Sequence, residues 1–252
     1  MFRNVKMIVC DMAGTIINEH GIVYNCLYNS VRKINPHISR SDMGKFYGYD
    51  KRKVIQHFVY NSSIDDKEKA MKQTYDYFQT SLEVEYETNP TIQLIDEKIP
   101  RFFEDLRENN IKVCLNTGYN RHIKDLLIHR FDLQWYINDS ISSEDVPESR
   151  PEPYMINTLA NRFGIKDKDK ILKIGDTYID IMEGKRACCL TAGVLSGADS
   201  KLRLLEADPD IVVDKVTDLQ IGSNHGLGAG AVAQNPDFFG RSGGNTFACN
   251  FI

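Results

Sequence analysis

Four short segments of this chain place carboxylates, hydroxyls, glycines and an arginine just after apolar runs. The first is Asp11-Met12-Ala13-Gly14-Thr15, directly after Val5–Cys10. A carboxylate at the C-terminal end of a central parallel strand stands where α/β sheets place their ligands. Gly14 lets the backbone turn sharply and bring amides toward an anion, and Thr15 adds a hydroxyl. The second, Asn116-Thr117-Gly118-Tyr119, again delivers a hydroxyl and a glycine ahead of a helix, whose start favours anions. Read singly, Thr117 is equally a helix cap. The third runs from Asp145 to Pro153 and holds Arg150 in an extended, proline-rich loop. The fourth, Gly175-Asp176-Thr177-Tyr178-Ile179-Asp180, sets two carboxylates four residues apart at a helix start, so both can face one side. Capping explains any one of these loops, but not polar groups on all four at once.

Together they offer a nucleophilic carboxylate (Asp11), metal-type carboxylates (Asp176, Asp180), a hydroxyl (Thr117) and a cation (Arg150). That set suits phosphoryl transfer. Magnesium takes oxygen ligands, commonly one or two carboxylates plus phosphate and water. Metal and Arg150 would neutralise the phosphate oxygens while Asp11 attacks phosphorus, giving an aspartyl-phosphate that water then cleaves.

The elements that must position these loops follow from the apolar pattern. Val5–Cys10, Ile111–Leu115, Trp135–Ile137, Ile171–Ile174, Leu190–Val194 and Ile211–Val213 read as buried strands. Helical spacing marks Glu97–Asn109, Arg121–Phe131 and Pro153–Phe163. Continuous apolar strands alternating with helices predict an α/β fold, a Rossmann-like parallel sheet covered on both faces. About 100 residues separate the first two strands, too many for one crossover. That stretch reads as helical, with Tyr75, Phe78, Leu82 and Tyr86 on one face of a helix from Asp65 to Glu87. The expected organisation is a catalytic core of residues 1–17 and 90–221, interrupted by a small all-helical cap domain, 18–89. Gly14, Ile16–Asn18 and Tyr86–Pro90 are expected to act as hinges.

The remaining composition narrows the function. With 31 basic against 35 acidic residues, net charge −4, no basic field advertises nucleic acid. No apolar run reaches membrane-spanning length, and none of signal-peptide length precedes Asp11, so no membrane partner and a cytoplasmic location are expected. Cys10 and Cys114 lie in strand-like runs and read as buried structural thiols. Residues 222–252 change character, carrying seven of the 17 glycines. GLGAGA at 226–231 meets the loose dinucleotide fingerprint but lacks the βαβ unit that motif needs, so the segment reads as a flexible tail.

In order, the four segments resemble those of the haloacid dehalogenase superfamily of aspartate-nucleophile hydrolases. Within it, Asp11–Thr15, Thr117–Arg121, Asp145–Met155 and Lys173–Gly184 look like the phosphonatase (phosphonoacetaldehyde hydrolase) branch. The resemblance implies Asp11 as nucleophile and Mg2+ ligand, with the Ala13 backbone carbonyl and Asp176 completing the protein's share of the metal and Asp180 supporting it. It implies that Gly14, Thr15, Thr117, Gly118, Tyr119 and Arg150 hold the phosphoryl group or line the pocket. Superfamily phosphatases carry a second aspartate two residues after the nucleophile, as general acid and base; here that position is Ala13. Phosphonatases use instead a cap lysine that forms a Schiff base, and Gly48-Tyr49-Asp50-Lys51 places Lys51 there, with burial or the nearby Arg52 and Lys53 expected to lower its pKa. The histidine that follows this lysine by three residues in that branch is Val54 here, and His57 lies three farther on. Lys51 therefore stands open as Schiff base, substrate-contacting cation or surface lysine. The reading is a Mg2+-dependent hydrolase of a small phosphorylated or phosphonate metabolite. The alternatives are C–P cleavage through Lys51 and an inactive phospholigand-binding relative.

Overall fold

The computed structural model describes residues 2–222; apart from Gly222, the expected glycine-rich tail, with the 226–231 motif, lies outside them. Strand β1 (Met7–Cys10) shows how the sheet is built. All four of its residues are fully buried, and they alternate between two cores: Ile8 and Cys10 enter one, Met7 and Val9 the other. A strand covered on both faces needs no polar side, hence the continuous apolar run. The chain continues through β2 (Ile17–Asn18), α1 (Ile22–Arg32), α2 (Arg40–Gly44), α3 (Lys51–Tyr60), α4 (Lys67–Thr88) and β3 (Gln93–Leu94). It then alternates: α5 (Ile99–Glu108), β4 (Lys112–Thr117), α6 (Arg121–Arg130), β5 (Asp139–Ser142), α7 (Tyr154–Arg162), β6 (Ile171–Gly175), α8 (Tyr178–Arg186), β7 (Leu190–Val194), α9 (Lys201–Leu205) and β8 (Ile211–Val213).

The main sheet has the order β5-β4-β1-β6-β7-β8, with every neighbouring pair parallel. Numbered among themselves, these six strands run 3-2-1-4-5-6, the Rossmann-like order whose reversal point lies between β1 and β6. Helices α5 and α6 pack into the core reached by Ile8, and α7 into the core reached by Met7. Helices α1–α4 occupy the long interval between β2 and β3. Their buried faces, among them Leu27, Ile55, Phe78 and Leu82, are continuous with the Ile8 core.

Two expectations change. Trp135–Ile137 is not a strand: Leu133–Trp135 is a 3-10 turn, Trp135 is 71% exposed, and the edge strand is the next segment, Asp139–Ser142. That segment reads as polar, yet parallel pairing with β4 satisfies its backbone and only Ile141 needs a core. The second change is the β2–β3 ladder, where Ile17 pairs with Leu94 and Asn18 with Gln93 in antiparallel fashion. It ties the chain entering α1–α4 to the chain leaving them. The return is further held by Arg130, which donates to the carbonyls of Tyr86, Asn89 (2.6 Å) and Ile92 (3.3 Å). Cys10 and Cys114 are fully buried, and burial pushes the Cys10 thiol up to about 12, so neither is poised as a nucleophile. Among the described residues, no helix is long and apolar enough to cross a membrane.

Candidate active site

The reversal point carries the first two groups. Asp11 leaves β1 with its amide donating to the Ile174 carbonyl of β6 at 2.9 Å, so Asp11 and Asp176 emerge side by side from adjacent strands. The chain then turns back at once, Gly14 N–H donating to the Ile17 carbonyl at 2.8 Å. Gly14 adopts φ +86°, and a Cβ there would stand 2.3 Å from Asp176 Oδ2, so both conformation and space require glycine. Asp176 also accepts from Thr15 Oγ1 (3.1 Å) and Ala198 N–H (2.7 Å). Helix α8 opens on a capping box in which Thr177 N–H and Oγ1 donate to Asp180 Oδ2. That leaves Asp180 Oδ1 to face Arg150 and Lys173. Capping and site duty are thus divided between the two oxygens of one carboxylate.

Oxygens of Asp11, Asp176 and Asp180 all lie within 4.8 Å of one another, and all three residues are buried. Burial, and then the facing carboxylates Asp11 and Asp180, push the Asp176 carboxyl well up. Burial also raises Asp11, against the pull of Arg150. Asp180 is carried well below the usual carboxylate range: burial opposes this, but Arg150 and Lys173 outweigh it. An all-oxygen donor set with more buried negative charge than its cations balance fits a hard divalent cation such as Mg2+.

Arg150 donates through Nη1 to Asp11 Oδ1 at 2.8 Å and also to Asp180 Oδ1. Its Nε, and Ser149 Oγ beside it, are buried and have no hydrogen-bond partner among the described residues. A buried guanidinium with an unused donor can accommodate an anionic ligand. A cavity of about 300 Å³ opens here, bounded by Asp11, Ala13, Gly14, Thr117, Gly118, Tyr119, Arg150, Asp176 and Asp180 from the sheet side and by Gly48 and Lys51 from α3 and the turn before it. Of the residues expected at the site, only Thr15 does not line the cavity; it is fully buried and acts on Asp176. Thr117 is not the cap of α6: Asn120 accepts from Ile123 N–H at 2.8 Å, while Thr117 Oγ1 accepts from Tyr119 N–H.

Lys51 is the first residue of α3, which Asp50 caps, and it is only 6% exposed, so it is not a surface lysine. Its Nζ donates to the Tyr49 carbonyl at 2.8 Å. Burial first, and then Arg150, draw its pKa down to about 8, against Asp11, Asp50 and Glu19. Of the expected causes burial acts, whereas Arg52 and Lys53 are exposed; the effective cation, Arg150, comes from across the cavity. His57 packs beside Phe46 and Phe58 and does not line the cavity.

Sequence reasoning did not single out several neighbours. Ser196, Gly197 and Ala198 line the cavity just after β7, where the C-terminal edge of the sheet made a further loop foreseeable. Lys173, Asn116 and Glu183 form a fully buried network beneath the site: Lys173 Nζ donates to Asn116 Oδ1 (2.6 Å) and lies 3.0 Å from Asp180 and 3.3 Å from Glu183. A lysine inside the apolar run Ile171–Ile174 was the available signal. Glu19 and Tyr24, also on the cavity wall, carried no motif.

The sequence profile described as haloacid dehalogenase-like hydrolase matches residues 8–194. The chain is 26% identical over 213 residues to a phosphonoacetaldehyde hydrolase of Latilactobacillus sakei, covering 77% of each protein. It is 30% identical over 135 residues to the phosphonoacetaldehyde hydrolase of Bacillus cereus, 53% of this chain and 51% of that relative, so the match spans about half of the relative's length. The crystal structure of a phosphonoacetaldehyde hydrolase-like protein from Oleispira antarctica superposes with a TM-score of 0.73 at 21% identity, covering 87% of this chain and 92% of that one, which shows a shared fold. The matched profile runs from β1 through β7 and contains the loops that supply Asp11, Arg150, Asp176 and Asp180, and on that ground this chain belongs to the haloacid dehalogenase-like hydrolase family.

Proposed function

We propose that this protein is a Mg2+-dependent hydrolase that releases phosphate from a small organophosphorus metabolite through an aspartyl-phosphate on Asp11. The observation that carries the reading is the buried cluster of Asp11, Asp176 and Asp180 at the sheet's reversal point, with Arg150 bridging two of its members. Asp11, Asp176 and the Ala13 carbonyl would hold the metal, with Asp180 in support. Bound there, Mg2+ would neutralise charge on the phosphoryl oxygens.

Asp11 would attack phosphorus in line, the leaving group departing toward the helical side of the cavity. Arg150, Thr117 and the Gly118 backbone would hold the phosphoryl oxygens, and Tyr119 would wall the pocket. Helices α1–α4, in the position of a cap, would exclude water and select the leaving group through Gly48, Lys51 and their neighbours. Asp11→Asn should abolish phosphate release from any accepted substrate while leaving ligand binding measurable. Unchanged hydrolysis in that variant would overturn the nucleophile assignment.

One observation favours a second reading. A buried lysine with a pKa near 8, facing the same cavity as Asp11, is equipped to form an imine with a carbonyl substrate. In that reading the substrate is a phosphonoaldehyde, and the imine accepts the electron pair released when the C–P bond breaks. Borohydride added during turnover of phosphonoacetaldehyde would then inactivate the enzyme and label Lys51. Turnover without labelling would exclude the imine.

A further inference from the structure

The position two residues after Asp11 is Ala13, whose methyl cannot carry the leaving-group proton, so that proton needs another donor. The cavity wall supplies a carboxyl from elsewhere. Glu19 follows the β2 strand, whose pairing with β3 holds it beside the opening, and it lines the same cavity as Asp11, Ala13 and Lys51. Its two oxygens are treated differently. Oε2 accepts from Val23 N–H at 2.7 Å and from Tyr86 Oη at 3.0 Å. Tyr86 Oη lies 2.6 Å from Tyr119 Oη, so this oxygen is anchored through α4 to the loop that follows β4. No hydrogen bond reaches Oε1 among the described residues, and Oε1 is not a sealed, unpartnered atom. A carboxyl pinned by one oxygen and open through the other, 5% exposed and facing a cavity, is built for proton transfer rather than for packing.

We propose that Glu19 is the acid–base residue of this site, replacing the carboxylate absent at Ala13. The inference rests on the aspartyl-phosphate reading above and applies to phosphate esters. In the first half-reaction the Asp11 oxygen–phosphorus bond forms, the bond from phosphorus to the leaving oxygen breaks, and the proton on Glu19 passes to that oxygen. In the second, a water oxygen bonds to phosphorus, the Asp11–phosphorus bond breaks with its electron pair returning to Asp11, and the water proton restores Glu19. Burial raises the Glu19 carboxyl, outweighing Val23, Tyr86 and Lys51, which favours the protonated form the first step needs. Four other polar groups on this wall are less suited, among them Lys51, whose Nζ is engaged by the Tyr49 carbonyl at 2.8 Å. His20 is exposed and bonds the Thr91 carbonyl through Nε2 at 3.2 Å, and burial drives the Tyr24 and Tyr119 hydroxyls well up, making them weaker acids.

The test compares two phosphate esters with the full chain and Mg2+: p-nitrophenyl phosphate, whose leaving group needs no proton, and ethyl phosphate, whose leaving group does. Gln at position 19 keeps an acceptor for Val23 and Tyr86 but cannot exchange a proton. Glu19→Gln should lower ethyl phosphate turnover by about 100-fold or more. With p-nitrophenyl phosphate the same variant should release a burst of nitrophenolate and accumulate phosphorylated Asp11, because only the water step is impaired; Glu19→Asp should restore part of the loss. Equal losses on both esters without a burst, or no loss on either, would overturn the assignment of Glu19. Hydrolysis that survives in Asp11→Asn would instead remove the aspartyl-phosphate reading, and a wild-type protein that cleaves neither ester the phosphate-ester reading; either result takes this inference with it.

Discussion

Arg150 bridges Asp11 and Asp180, one Nη1 donating to a carboxylate from the end of β1 and to another from the first turn of α8. The two acids are 169 residues apart in sequence but share one buried guanidinium. The same contacts that neutralise the acids also place Nη2 of Arg150 beside Gly118, where a phosphoryl group would bind. On the proposed function, stability and ligand binding would therefore depend on one side chain.

Substituting that side chain should separate charge from geometry. Arg150→Ala leaves two buried carboxylates without their main cation and should cost about 3–5 kcal/mol of stability. Arg150→Lys keeps the charge but loses the planar fork, and should recover much of the stability while kcat/KM stays down by about 100-fold or more. Urea unfolding read beside phosphate release distinguishes the two; full activity in the lysine variant would contradict the bidentate role.

Metal removal should silence the enzyme without unfolding it. EDTA is expected to abolish phosphate release, with recovery on excess Mg2+, while the circular dichroism spectrum persists because the cluster sits beyond the C-terminal ends of the central strands and not in the apolar core. Asp176→Asn should raise the Mg2+ concentration needed for half-maximal activity. Activity that withstands exhaustive chelation would refute the metal assignment.

Gly48 joins the helical segment to the core. It adopts φ +79°, its amide donates to Tyr24 Oη at 3.2 Å, and a Cβ there would stand 2.4 Å from Thr177 Oγ1. Gly48→Ala should therefore push α3, and Lys51 with it, away from the carboxylates. The expected signature is a tenfold or greater loss in kcat/KM with a smaller shift in thermal midpoint, since the strained residue lies in a turn. A variant with unaltered kinetics would show that this contact does not matter for closure.

Acid should act on the loop that follows β5. Burial alone would raise Asp145, but Ser142 and Arg121 outweigh it and hold the carboxyl down to about 2. A folded pKa below the unfolded one, about 3.9, contributes stability that is present above pH 4 and is lost as pH falls toward 2. The wild type should thus be more stable than Asp145→Asn at pH 7, and the gap should narrow by pH 3. Thermal melts of both proteins at the two pH values measure it, and a gap independent of pH would rule out this linkage.

How much was readable in advance depended on how local each cause was. The helix Lys67–Thr88 and its buried Phe78, Leu82 and Tyr86 follow from spacing along one segment, and the boundaries move by two residues at most. The edge strand was misplaced because Trp135–Ile137 carries the apolar residues, whereas Asp139–Ser142 is a strand only by virtue of pairing with β4. Glu19 was invisible for a similar reason: nothing around it forms a motif, and its partner Tyr86 lies 67 residues away. Of the causes expected for the low Lys51 pKa, burial holds, but the cation is not a sequence neighbour: Arg52 and Lys53 are exposed and Arg150 acts through space.

By itself, then, the sequence determined the parallel α/β architecture, the long helical interval and the four loops that supply Asp11, Thr117, Arg150 and Asp176. Strand burial, turn chemistry and helix starts are short-range consequences of residue type. The tertiary structure alone decided which oxygen of Asp180 serves its helix and which serves Arg150, that Lys173 lies buried beneath the cluster, and that Glu19 lines the same cavity as Ala13. Those outcomes turn on distances of 3–5 Å between side chains far apart in the chain, and electrostatics at that range depends on packing that no single segment encodes.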